Sequence, residues 1–370
     1  MTITIVGAGA IGGLLGAYLS ASGTDVLLVD HDEDHVRAIE RDGLTVLGVR
    51  GRLTTRPRVA RPTDLTEPVG PVLLAVKAQH TTAALRGIEP WLRDDSFVVS
   101  LQNEFNEDAI AEVVGAHRTV GGLPDYGGAL IEPGVLEFTS EAPLYVGELD
   151  GRSSDRVTNL ANTCRAFIDT VVTDNILGRV WSKNVYLLQH KLGFAASTDD
   201  DRDDLYTDPG FQRAAAALVR EGLAIARRHN ITVPAGQYFD PTMYADDVAE
   251  ATTAAHIEAS YGLLMAGRQR LRGEGHRVRK VGGDLWWDIV HKRRTSETTA
   301  TRAAFLERGR SVGIEPALAS SLLQQIAEIE SGDRERGRHN LTEFLNALEQ
   351  SPGALAQGER SARPKHSRSQ

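Results

Sequence analysis

The chain has 370 residues, 41% hydrophobic and 25% charged, a composition of folded globular proteins and a length sufficient for two domains. Lys and Arg number 41 against 50 Asp and Glu, and the net charge of −9 argues against nucleic acid or an anionic membrane surface as a partner. The single cysteine, Cys164, rules out an intrachain disulfide, no apolar run reaches about 18 residues, and the start carries no basic leader; the expectation is a cytoplasmic protein without a membrane partner.

The β-rich run Ile3 to Val6 stops at Gly7, and from Ala10 apolar residues recur at helical spacing. Between them Gly7-Ala8-Gly9-Ala10-Ile11-Gly12 reads G-x-G-x-x-G in the strand–turn–helix setting of a dinucleotide site. Gly7 would make the turn, Gly9 would admit a pyrophosphate, and Gly12 would let helix and strand pack closely. The helix N-terminus would hold the phosphates through its open N–H groups and its dipole. A second strand, Asp25 to Val29, ends at Asp30, where an acid accepts from ribose hydroxyls and repels a 2′-phosphate. With Asp32 and Glu33 beside it, the site is expected to prefer NAD(H), with NADP(H) as the alternative.

A polar helix follows over 31–41, then short strands over 44–49 and 53–59. The apolar run 71–76 has the pattern of a buried parallel strand and ends at Lys77. A similar run over 96–101 ends at Gln102-Asn103. Lys77 and Asn103 thus fall at carboxyl ends of strands, the edge where open α/β sheets bind ligands. From Thr119 to Glu148 polar and apolar residues alternate, broken by Gly127-Gly128, Pro133-Gly134 and Pro143, which predicts antiparallel strands added at a sheet edge. A helix over 151–167, with Cys164 as a small buried residue, and a strand over 170–172 complete this part.

From Ile176 the pattern is helical, with helices expected near 175–195, 208–229, 241–273, 281–294, 297–312, 316–331 and 339–350. The fold expected is an α/β Rossmann domain over 1–174, a parallel sheet with antiparallel edge strands, followed by an all-α domain over 175–350. The Ser-, Pro- and Arg-bearing segment 351–370 is expected to be a disordered tail. Asp199, Asp200, Asp201, Asp203 and Asp204 read as a solvated loop, since the spacing lacks a calcium-loop pattern. No His/Cys cluster has zinc spacing, and no metal is expected. Trp286-Trp287 reads as core or dimer interface, and His190 as a structural histidine.

These motifs resemble the ketopantoate reductase (2-dehydropantoate 2-reductase) family. The resemblance rests on Gly7-Ala8-Gly9-Ala10-Ile11-Gly12, Ala75-Val76-Lys77, Leu101-Gln102-Asn103, Trp181-Ser182-Lys183, Asp288-Ile289, the Arg293-Arg294-Thr295 to Glu297 region and Gly313-Ile314. It spans roughly residues 1–330. It implies a Rossmann domain followed by a helical domain of the 6-phosphogluconate-dehydrogenase type, and hydride transfer from a nicotinamide cofactor to the carbonyl of a 2-oxo acid. It implies Lys183 as general acid, Glu297 as the carboxylate that positions it, and Lys77 and Asn103 as contacts to cofactor and substrate. A homodimer is expected, with the additional helical length around Val233 to Arg279 at the interface.

The sequence departs from the family at the substrate side. The asparagines that follow the lysine by one and two turns are replaced by Leu187 and Lys191, which share a helix face with Lys183 and His190. A substrate-contacting serine aligns with Asp284, and Gln-Asn-Gly becomes Gln102-Asn103-Glu104. The expectation is retained redox chemistry on an altered substrate, with two readings of Lys191 and Asp284: facing the cleft, they would hold a carboxylate and an amine or hydroxyl respectively; otherwise each makes a helix-surface salt bridge. Authentic ketopantoate reduction is the competing reading, and a nucleotide-binding protein without catalysis a further one.

Overall fold

A computed structural model describes residues 2–198, 202–273 and 283–350. The chain forms two compact units, one built on the chain up to Val180 together with residues 266–273, the other on Trp181–Met265 with the described residues from 283 onward.

The first unit contains β1 (Ile3–Val6), α1 (Ala10–Ala21), β2 (Val26–Val29), α2 (Glu33–Asp42), β3 (Leu44–Gly48), β4 (Leu53–Thr55), β5 (Arg58–Ala60), β6 (Val72–Leu74), α3 (Thr81–Ile88), β7 (Val98–Ser100), α4 (Glu107–Val114), β8 (Thr119–Pro124), β9 (Gly127–Glu132), β10 (Val135–Ser140), β11 (Leu144–Glu148), α5 (Asp155–Cys164) and β12 (Thr170–Val172). The main sheet has the order β12-β11-β8-β7-β6-β1-β2-β5. Strands β5, β2, β1, β6, β7 and β8 run parallel, while β11 pairs antiparallel with β8 and β12 follows β11. The chain leaves β1 toward β2 on one side and β6 lies on the other, so a topological switch point falls at the end of β1.

The alternating stretch expected at one edge divides between two sheets. β8 and β11 join the main sheet, whereas β9 and β10 form a second, four-stranded sheet with β3 and β4, in the order β4-β3-β10-β9. The cause lies in α1, whose sequence AIGGLLGAYLSA is apolar around its whole circumference. Such a helix must be covered on both sides. Gly12 and Gly16 let it sit against Ile5 and Leu28 of the main sheet, and Gly13 meets Leu136 of the second sheet. Leu14, Leu28, Leu136 and Phe138 are accordingly all fully buried in one core. Cys164 lies in that core too, at the end of α5, and burial pushes its thiol up to about 12, so it is inert at neutral pH.

The second unit contains most of α6 (Ile176–Ala196), then α7 (Asp203–Tyr206), α8 (Pro209–Arg228), most of α9 (Glu250–Gly273), α10 (Glu297–Ser311), α11 (Ala317–Ser331) and α12 (Arg338–Gln350). The helix expected over 241–273 is interrupted. Asp240 caps a single 3₁₀ turn at Pro241–Tyr244, accepting from the Thr242 N–H at 2.9 Å, and the backbone is extended at Ala245 before α9 begins. The helix expected over 281–294 closes in a π-helical turn at Trp286–His291, and Arg293 then takes φ +49°. Asp203 and Asp204, expected in a loop, open α7, and Asp204 pairs with Arg338 at 2.7 Å. Asp199, Asp200, Asp201 and the segment 351–370 lie outside the described residues. Among the described residues no helix is long and apolar enough to cross a membrane.

Candidate cofactor site and catalytic helix

Four sequence-predicted positions converge on one edge of the main sheet because β1, β2, β6 and β7 are neighbours running in the same direction. Gly7 follows β1, Asp30 follows β2, Lys77 comes just after β6, and Asn103 just after β7. Gly9, Ala10, Ile11, Asp30, Lys77 and Asn103 are all half-buried, as residues lining an accessible edge must be.

The three glycines of the motif play separable parts. Gly7 has φ +99°, and a Cβ there would come within 2.7 Å of the Val76 nitrogen, so both its conformation and its clearance demand glycine. A Cβ on Gly12 would run into the Gly7 carbonyl oxygen and into Ile5. Gly9 is different: nothing lies within 4 Å of where its Cβ would be, so its bareness serves no contact inside the chain. Gly9 caps α1 without any side chain, and the first turn of α1 carries no acid. An uncapped helix N-terminus beneath open space fits a pyrophosphate, which takes hydrogen bonds from backbone N–H groups.

Asp30 is held at this loop. Its Oδ2 accepts from the Ala8 N–H at 2.7 Å and its Oδ1 from the Asp32 N–H at 2.9 Å. A second residue, not singled out by sequence, grips the same loop. His35, on the first turn of α2 and 1% exposed, contacts the Ala8 carbonyl through Nε2 at 2.9 Å, and its Nδ1 accepts from the Gly134 N–H at 2.9 Å. Arg37 pairs with Glu33 across one helical turn at 2.5 Å. A second cation, Arg61 just beyond β5, reaches the same Glu33 at 3.3 Å and Asp64 at 2.7 Å. No local pattern marks His35, because its partners Ala8 and Gly134 lie 27 and 99 residues away in the chain. On the far side, Gln102 donates to the Val76 carbonyl and the Thr81 hydroxyl, both at 2.8 Å, and fixes the loop that carries Lys77.

In the second unit α6 presents a half-buried stripe of Lys183, Tyr186, Leu187 and His190. Its opposite side is core: Trp181, Val185, Leu188 and Leu192 are each at most 2% exposed. Trp181 lies 6.1 Å ring to ring from Phe305 of α10 and 6.0 Å from His229, so it anchors α6 just before Lys183. Lys191, expected on the stripe, is buried at 7% exposure. Asn184 is buried as well. His190 bonds through Nδ1 to the Tyr206 hydroxyl at 2.9 Å, which fits a structural histidine. Glu297 is the first residue of α10 and half-buried; Ser296 caps that helix and receives support from Glu330, which accepts its N–H at 2.9 Å. Asp284 is exposed. Asp288, 2% exposed, is neutralised by Arg294 at 2.7 and 3.0 Å, which closes the π-helical turn.

Residues 3–151 match the family model of ketopantoate reductase PanE/ApbA. A 2-dehydropantoate 2-reductase from Pyrococcus horikoshii is 36% identical over 192 residues, 50% of this chain and 60% of that protein. One from Archaeoglobus fulgidus is 26% identical over 337 residues, 89% of this chain and 98% of its own length. Residues 3–151 are thus similar to the ketopantoate reductase family. Its match to the Pyrococcus relative spans less than two thirds of that protein's length. Among solved structures, a D-mandelate dehydrogenase in complex with NADH shares the fold with TM-score 0.72 at 20% identity, over 90% of this chain and 99% of the other.

Within the ketopantoate reductase family pattern, the departure at Glu104 has a physical consequence. The residue takes φ +67°, a conformation glycine adopts freely, and its side chain is 7% exposed. A non-glycine residue in this conformation costs about 1 kcal/mol of backbone strain beside Asn103.

Proposed function

We propose that the protein is an NAD(P)-dependent oxidoreductase that transfers hydride to the carbonyl of a 2-oxo acid or a related carbonyl or imine compound. The observation that carries the reading is the uncapped N-terminus of α1 beneath the open face of Gly9, with Asp30, Lys77 and Asn103 on the same edge. A bound nicotinamide would supply the hydride. Reduction leaves charge on the substrate oxygen, and Lys183 is the proton donor for it, with Glu297 holding that lysine. Anchoring by Trp181 and partial burial of Lys183 support this role. Lys77 and Asn103 contact cofactor and substrate, and Leu187 brings an apolar group where the family has an amide. Lys191 and Asp284 remain proposed substrate contacts; the burial of the first and the exposure of the second favour Leu187 as the principal change. Reduction of ketopantoate itself is the second reading, favoured by the names of the relatives.

NADH is the proposed cofactor. Asp30 puts a carboxylate where a 2′-phosphate would sit, and Arg61 is already committed to Glu33 and Asp64. Asp30→Ala should narrow the NADH preference in kcat/KM. Steady-state rates with both cofactors decide this, and an NADPH preference in the unaltered protein would contradict it. The protein is further proposed to act in the cytoplasm as a homodimer without nucleic-acid or membrane partners. The dimer contact would involve the additional helical length around α9, where Leu263 is 59% exposed.

A further inference from the structure

We propose that His35 is a positioning residue for the cofactor loop, aiming the Gly9 N–H at the cofactor phosphates. The inference rests on the cofactor reading above and adds a residue that the G-x-G-x-x-G pattern does not contain. The chemistry of its two partners fixes the tautomer. The Gly134 N–H donates, so Nδ1 carries no proton; the Ala8 carbonyl accepts, so Nε2 carries the proton. His35 is therefore a neutral bridge that donates to the glycine-rich loop at one end and is held by the β9–β10 turn at the other.

Both backbone groups of Ala8 are taken up by side chains. Its N–H goes to Asp30 and its C=O to His35. The Ala8–Gly9 peptide is planar and trans, so its N–H points opposite to its C=O. Holding the Ala8 oxygen on the His35 side turns the Gly9 N–H to the other side. The His35 ring is itself immobile: it is buried, its helix is capped by Asp32 accepting the His35 N–H at 3.1 Å, and Gly134 sits at φ +77° in a turn paired to β3. The second sheet thereby contributes to cofactor binding through one imidazole as well as covering α1.

Two substitutions separate the two bonds. In His35→Asn the side-chain amide reaches only as far as Nδ1, so the Gly134 bond can be kept while the Ala8 bond is lost. In His35→Gln the amide nitrogen reaches as far as Nε2, so the Ala8 bond can be kept. Binding of NADH and of ADP-ribose is measured by calorimetry, alongside kcat at saturating cofactor and the thermal midpoint. The expected result is a Kd about tenfold higher for both probes in His35→Asn, as the loss of one net hydrogen bond implies, with kcat within about twofold, and a near-native Kd in His35→Gln. An unchanged Kd in His35→Asn, or equal weakening in both variants, would overturn the assignment. A wild-type protein that binds neither probe would instead overturn the cofactor reading itself. If the variants do not fold, the ¹⁵N imidazole spectrum of the wild type serves: an Nε2–H tautomer whose resonance moves on NADH saturation is expected, and an Nδ1–H tautomer overturns the proposal.

Discussion

Gly9 and Gly12 belong to one motif and answer to different demands. Gly12 is required by the chain itself, since a methyl group there meets the Gly7 carbonyl and Ile5; Gly9 faces open space. Gly12→Ala should therefore cost about 1–3 kcal/mol of stability through overpacking. Gly9→Ala should melt within a few degrees of the wild type yet bind NADH more weakly. Paired thermal and calorimetric titrations check this, and a strongly destabilised Gly9→Ala would contradict it. These glycines were legible in the sequence because strand, turn and helix are consecutive. His35 and Arg61 were not, because Ala8, Gly134 and Glu33 reach them only through the fold. Lys191 shares the face of Lys183 by spacing and is nonetheless buried: helical spacing assigns a face and says nothing of how far a long side chain withdraws from it.

At the scale of elements, alternation in 119–148 announced strands and left open which layer they would cover. Period-two patterning shows that one face is buried, and only the all-apolar surface of α1 explains why β9 and β10 leave the main sheet. The junction of α8 and α11 was also invisible in the sequence. Pro316 at the start of α11 offers no side-chain cap, and Glu221 of α8 takes its place, accepting from the Leu318 and Ala319 N–H groups at 3.0 and 2.8 Å. Burial pushes this carboxyl up to about 7, against the two backbone hydrogen bonds, which favour the charged form. The folded chain thus keeps Glu221 protonated to higher pH than the unfolded chain. The stabilisation is whole below about 4.5 and is lost as pH rises through about 7, a swing of order 3 kcal/mol at most. Urea unfolding at pH 5 and pH 8 should show the wild type losing stability relative to Glu221→Gln over that interval. A relative gain would contradict the assignment.

For the whole molecule, the two-domain order was legible because a strand-rich half precedes a helix-rich one, and the family resemblance carried the rest. The oligomeric prediction belongs at this scale. Light scattering at micromolar concentration should give a dimer mass, and Leu263→Glu should lower it toward the monomer; a monomeric wild type would contradict the proposed contact. The central claim concerns redox chemistry with Lys183 as the proton donor. Its most direct test is the oxidation of NADH and NADPH with ketopantoate and a panel of other 2-oxo acids, run on the wild type and on Lys183→Ala. The account predicts turnover by the wild type, fastest with NADH on a substrate other than ketopantoate, and a loss of about 10²–10⁴-fold in kcat for Lys183→Ala with NADH binding intact. NADH binding without turnover on any acid, or a Lys183→Ala loss below about tenfold at saturating substrate, would contradict it.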